Sequence, residues 1–132
     1  MENFLQAERL FSAVRQGKLE EVSLIGQKAG LVNMRDVLSG NTPLHFASAN
    51  GDCAMIELLA QLGGDVNSCD NDSSSSPLGV ASIAGRLDAV RILLKLGARL
   101  APEEDDIMDE VIELGDLEIA KLLRESLVRH HE

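Results

Sequence analysis

The chain has 132 residues, of which 45% are hydrophobic, and this size and composition suit one packed domain. Its 22 acidic and 12 basic residues give a formal net charge of −10 at pH 7, which would repel a phosphate backbone. With three phenylalanines and no tyrosine or tryptophan, the chain has too few rings for a base-stacking surface, so we expect no binding of nucleic acid.

Neither a membrane span nor a signal peptide is expected from the sequence. No stretch approaches the roughly 18 uninterrupted apolar residues of a span, and Glu2 and Glu8 stand where a signal peptide would be basic and then apolar. Cys53 and Cys69 suit free thiols in a reducing compartment better than a disulfide framework. We therefore expect an intracellular protein, in the cytoplasm or the nucleus.

A repeat of 34 residues organises the chain. Gly17, Gly51 and Gly85 lie 34 residues apart, and a shorter fourth unit is built around Gly115. The same offset aligns small residues ahead of each glycine and apolar residues after it. The aligned residues are Ala13, Ala47 and Ala81; Val22, Ile56 and Val90; Leu24, Leu58 and Ile92; and Ile25, Leu59 and Leu93, with Ile119, Ala120, Leu122 and Leu123 in the fourth unit.

In chain order the units are predicted at about 4–36, 37–70, 71–104 and 105–129, within a single domain spanning 1–132. Each unit reads as a short helix, a turn at the glycine, a second helix with apolar residues at helical spacing, and a polar connector. One unit cannot bury its own apolar face. Stacked units can, because the alanines of the first helices pack closely and the leucines and isoleucines of the second helices fill the space between neighbours. The sequence therefore predicts an all-α solenoid.

The second unit carries the most specific motif. Its residues are Thr42, Pro43, Leu44 and His45, then Ala47 and Gly51, and later Gly63, Gly64, Asp65, Val66 and Asn67. This unit resembles an ankyrin repeat, and the resemblance extends from about Leu5 to about Val128. It implies a solenoid of about four helix-turn-helix units joined by β-hairpin-like fingers.

The other units depart from this motif. Ser76 and Gly79 stand where the family usually has Thr and His, so we expect the turn hydrogen bonds of the third unit to be weaker or replaced. The first and fourth units lack the motif altogether, as expected of caps whose outer faces contact water. The polar sequence of the last unit predicts a polar cap at that end.

The resemblance implies protein binding through the finger tips and the exposed, concave side of the first helices, although the fold leaves the partner open. The finger candidates are Val37, Leu38, Ser39, Asn41, Asn71, Asp72, Ser74 and Ser75. The helix candidates, each pair directly preceding a repeat glycine, are Arg15, Gln16, Ala49, Asn50, Ile83, Ala84, Glu113 and Leu114. Val37 and Leu38 either anchor in a partner's pocket or pack on their own finger.

Nine acidic residues lie between 103 and 118 with no Lys or Arg among them. Apolar residues at helical spacing from Ile107 to Leu114 place these acids on the solvent side of an amphipathic helix. The acids that begin the helix oppose its dipole. Asp109, Glu110 and Glu113 lie beyond the first turn and give either solubility or attraction for a partner with a basic surface.

The chemistry-bearing residues do not form a catalytic or metal-binding motif. We interpret His45 as a hydrogen-bonding turn residue and Cys53 as an inert thiol at a helix start. The histidines and cysteines lack zinc spacing. The run from Asp70 resembles the start of a calcium loop, but Ser75 and Ala81 replace its glycine and its closing carboxylate. We expect no metal, no cofactor and no enzymatic activity.

Two binding hypotheses follow. The first is a stand-alone module, monomeric on its own, that acts on one protein as an adaptor or stoichiometric inhibitor, as small ankyrin-repeat inhibitors of cyclin-dependent kinases do. The alternative is a structural subunit obligately bound in a larger complex, which an extensive apolar outer face on the caps would favour. An enzyme would need a pocket of converging titratable residues, and the sequence suggests none.

Overall fold

The computed structural model describes residues 2–27, 31–36, 39–69, 75–100, 104 and 106–130. Within these ranges the chain forms helices and turns and no β-strand. The helices are α1 (Glu2–Gln16), α2 (Leu19–Gly26), α3 (Pro43–Asn50), α4 (Cys53–Gln61), α5 (Pro77–Ile83), α6 (Leu87–Lys95), α7 (Ile107–Glu113) and α8 (Leu117–His130), with a 3₁₀ turn at Leu31–Asn33.

The helices form two layers. The odd-numbered helices contact one another in the order α1, α3, α5 and α7, and the even-numbered helices do so in the order α2, α4, α6 and α8. Each odd-numbered helix also packs on the even-numbered helix that follows it. We call the two layers the inner and the outer layer. The predicted all-α repeat solenoid is thereby confirmed.

Small residues set the spacing of the inner layer. Ala13, Ala47 and Ala81 are buried where consecutive inner helices pack, and Val111 takes the same place in α7. The carbonyl oxygen of each of these residues accepts the backbone N–H of the residue after the repeat glycine, as between Asp52 and Ala47 at 3.1 Å. The glycines adopt φ values between 70° and 87°, which L-residues rarely adopt. The period of the sequence thus matches a repeated helix stop.

The outer layer holds the larger apolar side chains. Two of the three aligned apolar positions are buried in all of α2, α4 and α6. These are Val22, Ile56 and Val90, and Ile25, Leu59 and Leu93. The third position was predicted to fill the space between neighbours, which is wrong for Leu24, because its side chain is 72% exposed. The equivalent Leu58 and Ile92 are partly buried against the core. Leu24 lies in the first outer helix, which has no outer helix before it in the described chain.

Asparagine side chains tie the connectors together. The Asn33 amide donates to the carbonyl oxygen of Gly63 at 3.0 Å and accepts the backbone N–H of Asp65 at 2.8 Å. Asn67 repeats the arrangement with the carbonyl of Gly97 and the N–H of Arg99. Each amide therefore pairs with backbone groups of the next connector, which fixes the distance between successive turns.

The turn that begins α3 uses His45 as the sequence predicted. The backbone N–H of Thr42 donates to Nδ1 of His45 at 3.1 Å, while Nε2 lies 2.8 Å from the carbonyl oxygen of Ser75. Because a carbonyl only accepts, Nε2 carries the proton and Nδ1 is the acceptor. The imidazole is buried and links the second helix pair to the connector that leads into the third.

In the turn that begins α5, Glu104 accepts the hydrogen bonds that His45 accepts in the turn before α3. The hydroxyl of Ser76 donates to Oε1 of Glu104 at 2.7 Å, and the backbone N–H of Ser76 donates to Oε2 at 3.1 Å. The carboxylate is buried directly against Gly79, and a Cβ atom at that position would overlap Oε2. The turn hydrogen bonds of the third unit, expected to be weaker or replaced, are therefore replaced, by a residue 28 positions further along the chain.

Truncation of the outer-layer core should destabilise the array. Leu59 and Leu93 are fully buried, so Leu59→Ala or Leu93→Ala should each lower the free energy of unfolding by about 2 to 5 kcal/mol through the cavity left behind. Urea unfolding followed by circular dichroism measures this change. Leu24→Ala, at an exposed leucine, is the control and should change stability little; equal losses at all three sites would contradict the described packing.

The effect of Gly79→Ala on stability should change sign with the residue at position 104. In the native chain the new methyl group displaces the Glu104 carboxylate, so the substitution destabilises. The three atoms nearest to the Gly79 Cβ position all belong to Glu104. In a Glu104→Ala background, Gly79→Ala should therefore stabilise by about 0.5 to 1 kcal/mol, the helix-propensity difference between Ala and Gly. A double-mutant cycle in urea tests this, and additive effects would contradict it.

Candidate functional site

The last turns of the inner helices share one accessible side. All eight residues that precede the repeat glycines have accessible surface: Arg15, Gln16, Asn50, Ala84, Glu113 and Leu114 are exposed, and Ala49 and Ile83 are partly exposed. They align because consecutive inner helices pack at a constant register. The structure therefore brings the predicted helix candidates together as one surface, which we call the inner face.

Two further residues extend the inner face and were not predicted. Phe46 and Val80 lie three residues before Ala49 and Ile83, on the same side of their helices, and both are partly exposed. The Phe46 ring packs edge-on against Phe11, with 5.5 Å between ring centroids. Both could have been identified from the sequence, because residues three positions before the predicted Ala49 and Ile83 lie on the same side of a helix.

The two helices in the middle of the inner face carry no exposed charge. Helices α3 and α5 contain no acidic residue and no Lys or Arg, and the one titratable side chain of α3, His45, is buried in its turn. The accessible residues here are Phe46 and Ala49 on α3, and Val80, Ile83 and Ala84 on α5. Because these two helices contact each other, the residues form a continuous apolar strip.

Opposite charges flank this strip. The Arg15 guanidinium lies over the Phe46 ring, with its carbon atom 4.8 Å from the ring centroid, which holds a cation at the α1 end. Glu110 and Glu113 of α7 occupy the positions equivalent to Val80 and Ile83 and are exposed at the other end. Among the described residues, none of these three side chains forms an ion pair.

Asp109 lies apart from the other two acids. It is equivalent to Phe11, His45 and Gly79, positions that face the following unit of the array. Asp109 is exposed because no inner helix follows α7 in the described chain. The structure thus brings Glu110 and Glu113 onto the inner face and leaves Asp109 at the end of the array.

The described finger residues support their own turn. The Ser39 hydroxyl donates to Oδ2 of Asp36 at 3.0 Å and accepts the N–H of Asn41 at 3.2 Å. Oδ1 of Asn41 is buried and has no hydrogen-bond partner among the described residues. The backbone carbonyl of Ser75 accepts from His45. Of the other finger candidates, Val37, Leu38, Asn71, Asp72 and Ser74 lie outside the described residues.

Two arginines, Arg35 and Arg86, join neighbouring units beside the predicted binding residues, and the sequence analysis did not identify them. Nη1 of Arg35 donates to the carbonyl of Gly40 at 2.9 Å and also to the carbonyl of Cys69, so it joins two successive connectors. Nε of Arg86 donates to the carbonyl of Ala49 at 3.0 Å, and its side chain packs over Gly51. The hydrogen bonds from Arg35 to Cys69 and from Arg86 to Ala49 each join residues more than 30 apart in sequence, which local patterns do not reveal.

Groups that carry catalytic chemistry are scattered. Among the described residues, no three His, Cys, Asp or Glu side chains lie close enough together to hold a metal ion. Cys53 is half-buried, and its thiol pKa is raised by burial and then by the carboxylates of Asp88, Asp52 and Glu57. A raised pKa leaves less thiolate at neutral pH, which agrees with the predicted inert thiol. No described helix is long and apolar enough to cross a membrane.

A family model for ankyrin repeats (3 copies) matches residues 10–104 and residues 44–130. Together the two matches include nearly all of the helical chain. The chain belongs to the ankyrin-repeat family. None of the curated proteins compared with this ankyrin-repeat protein matches it. Ankyrin repeats are generally protein–protein interaction modules, and the family is typically non-catalytic.

The Cys53 thiol of this ankyrin-repeat protein should react slowly. We expect the apparent pKa of its reaction with iodoacetamide to be higher in the folded protein than in urea, because burial of the thiol and the Asp88 carboxylate, which only the fold brings near, disfavour the thiolate. The measurement uses a Cys69→Ser variant, so that a single thiol reports. A folded-state pKa at or below the urea value would contradict the described environment.

Proposed function

We propose that this protein is a stoichiometric binding module that holds one protein partner on its inner face, as an adaptor or an inhibitor. The observation that carries the proposal is the apolar strip of α3 and α5, accessible along its length and flanked by charges. Apolar residues that a partner can cover, ringed by polar groups, are the composition of a protein-binding patch.

The outer layer offers a weaker case for binding. Its exposed side mixes charges of both signs, as in α6, where Arg91 lies 4.0 Å from Asp88 and 3.5 Å from Glu118 of α8. Such exposed pairs contribute at most about 1 kcal/mol and are typical of a solvated surface. The contrast between the two layers favours the inner face as the binding surface.

The exposed acids of α7 support a partner with a basic surface. Asp109, Glu110 and Glu113 are exposed, and the segment from 103 to 118 has no Lys or Arg to neutralise them. Uncompensated acids of this kind raise the rate at which a basic partner associates. Binding should therefore weaken as the salt concentration rises. We further propose that the protein is not an enzyme, because no described pocket gathers groups for catalysis.

The second candidate function, an obligate subunit of a larger assembly, is favoured by exposed leucines on the caps. Leu5 and Leu24 on the first helix pair are 62% and 72% exposed. Leu114 and Leu117 on the last pair are 55% and 66% exposed, so the cap predicted to be polar is partly apolar. Large apolar side chains at both ends could be covered by neighbouring subunits.

Several expectations stay predictions. These are the division of one domain into units at about 4–36, 37–70, 71–104 and 105–129, the monomeric state, the location in the cytoplasm or the nucleus, and the finger residues as contacts. None of them is needed for the inner face to bind, because that surface is built from α1, α3, α5 and α7 alone.

Capture of the partner from a lysate tests the proposal. Ala84→Arg places a long cation in the middle of the inner face, and Ala54→Arg makes the same change at an exposed alanine of the outer helix α4. Circular dichroism must first show equal helicity. We expect a discrete co-purifying protein that is lost with Ala84→Arg and retained with Ala54→Arg.

The cap leucines separate the two candidate functions. A Leu5→Ser/Leu24→Ser variant should retain the partner if the inner face binds it. Loss with this variant alone would favour the assembly subunit. Retention of the same protein by every variant would move the interface away from both surfaces and contradict the proposal.

A further inference from the structure

The inner face is electrically directional, which goes beyond a general attraction for basic partners. Arg15 marks its α1 end, and Glu110 and Glu113 mark its α7 end. Helices α3 and α5 between them carry no exposed charge, and the exposed Arg86 adds a second cation beside Ala49 of α3. A ligand that lies along the strip therefore meets cations beside α1 and α3, apolar side chains on α3 and α5, and carboxylates on α7. No rearrangement is needed to create this order, because the inner helices are fixed by their buried alanines.

From this order we infer the partner's chemistry: one continuous segment of the partner, apolar in its middle, acidic where it passes Arg15 and basic where it passes Glu110 and Glu113. The inference rests on the proposed function. It adds that the charges at both ends of the inner face contact opposite charges of the segment, so that the segment binds in one orientation. Reversed segments would place like charges against each other, which costs affinity.

The dimensions of the strip limit the segment. Three helix-to-helix spacings separate α1 from α7, and at about 8 to 10 Å each they span about 24 to 30 Å. An extended chain covers this length with about seven to nine residues at about 3.3 Å each. A helix needs about 16 to 20 residues at about 1.5 Å each. A peptide of 16 residues is therefore more than long enough when extended, and as a helix it spans about 24 Å, the lower end of this range.

Arg15 is prepared for this role. Its guanidinium is held over the Phe46 ring and remains exposed, so a carboxylate can approach it without the side chain having to be ordered first. Phe46 is in turn packed against Phe11 in the core. The cation at this end is thus positioned by the fold rather than carried on a freely moving side chain.

The probe for the experiment is a random 16-residue peptide library displayed on phage. It is selected on the native protein, with the Ala84→Arg variant in solution as competitor, so that only ligands of the inner face are enriched. We expect enriched peptides with Asp or Glu toward one end, Lys or Arg toward the other, and apolar residues between them.

Double-mutant cycles then assign the two ends. Replacing the basic residues of an enriched peptide by Ala should weaken its binding about 5-fold to the native protein but not to a Glu110→Gln/Glu113→Gln variant. Replacing the acidic residue of the peptide by Ala should weaken its binding to the native protein but not to the Arg15→Gln variant. Each peptide charge should couple to one end of the inner face only.

Three results would overturn the inference. They are the absence of peptides that discriminate against Ala84→Arg, enriched peptides that are basic throughout with no coupling to Arg15, and equal coupling of each peptide charge to both ends. Loss of a captured protein with Ala84→Arg in the absence of any directional peptide would leave the proposed function standing and reject only the polar segment.

Discussion

Close approach of consecutive inner helices is the constraint on which the other features depend. Ala13, Ala47 and Ala81 are buried at the helix contacts, and their carbonyl oxygens also accept the hydrogen bonds that end the helices. One residue per unit thus sets both the distance to the next helix and the direction of the turn. Since the turn fixes where the outer helix begins, the residues just before each glycine are carried to the same side of every unit. The inner face is a consequence of this stacking, and any partner that it binds meets a surface already formed.

The junctions between units show how the same constraint is met by different chemistry. His45 joins the second pair of helices to the connector before the third, with one imidazole nitrogen on each side of the junction. At the next junction the histidine is missing, and Glu104 reaches back to Ser76 through the space that Gly79 leaves open. A carboxylate and a glycine together replace one imidazole. Both solutions satisfy buried polar groups of a turn, which explains why the array tolerates the loss of the motif.

The sequence predicted the elements that depend on the repeat and missed those that depend on contacts across it. The 34-residue period located the alanine and glycine positions because stacking imposes the same requirement on every unit. The role of Glu104 was hidden, since its partner Ser76 lies 28 residues away and no local pattern links them. Leu24 matched its equivalents in sequence, but its exposure follows from its place in the first outer helix. Arg15 was named for its position, whereas its contact with Phe46 required the register of two helices.

Photo-crosslinking in cells tests most directly whether the inner face is the binding surface. A p-benzoylphenylalanine is placed at Ala84 or Asn50 on the inner face, or at Ala54 or Gln61 on the outer layer, all of them exposed positions. After irradiation, adducts are separated by mass and identified by mass spectrometry. The account predicts one discrete protein adduct from both inner positions and none from the outer positions. Adducts from the outer positions alone, or no adduct from any of the four, would contradict it.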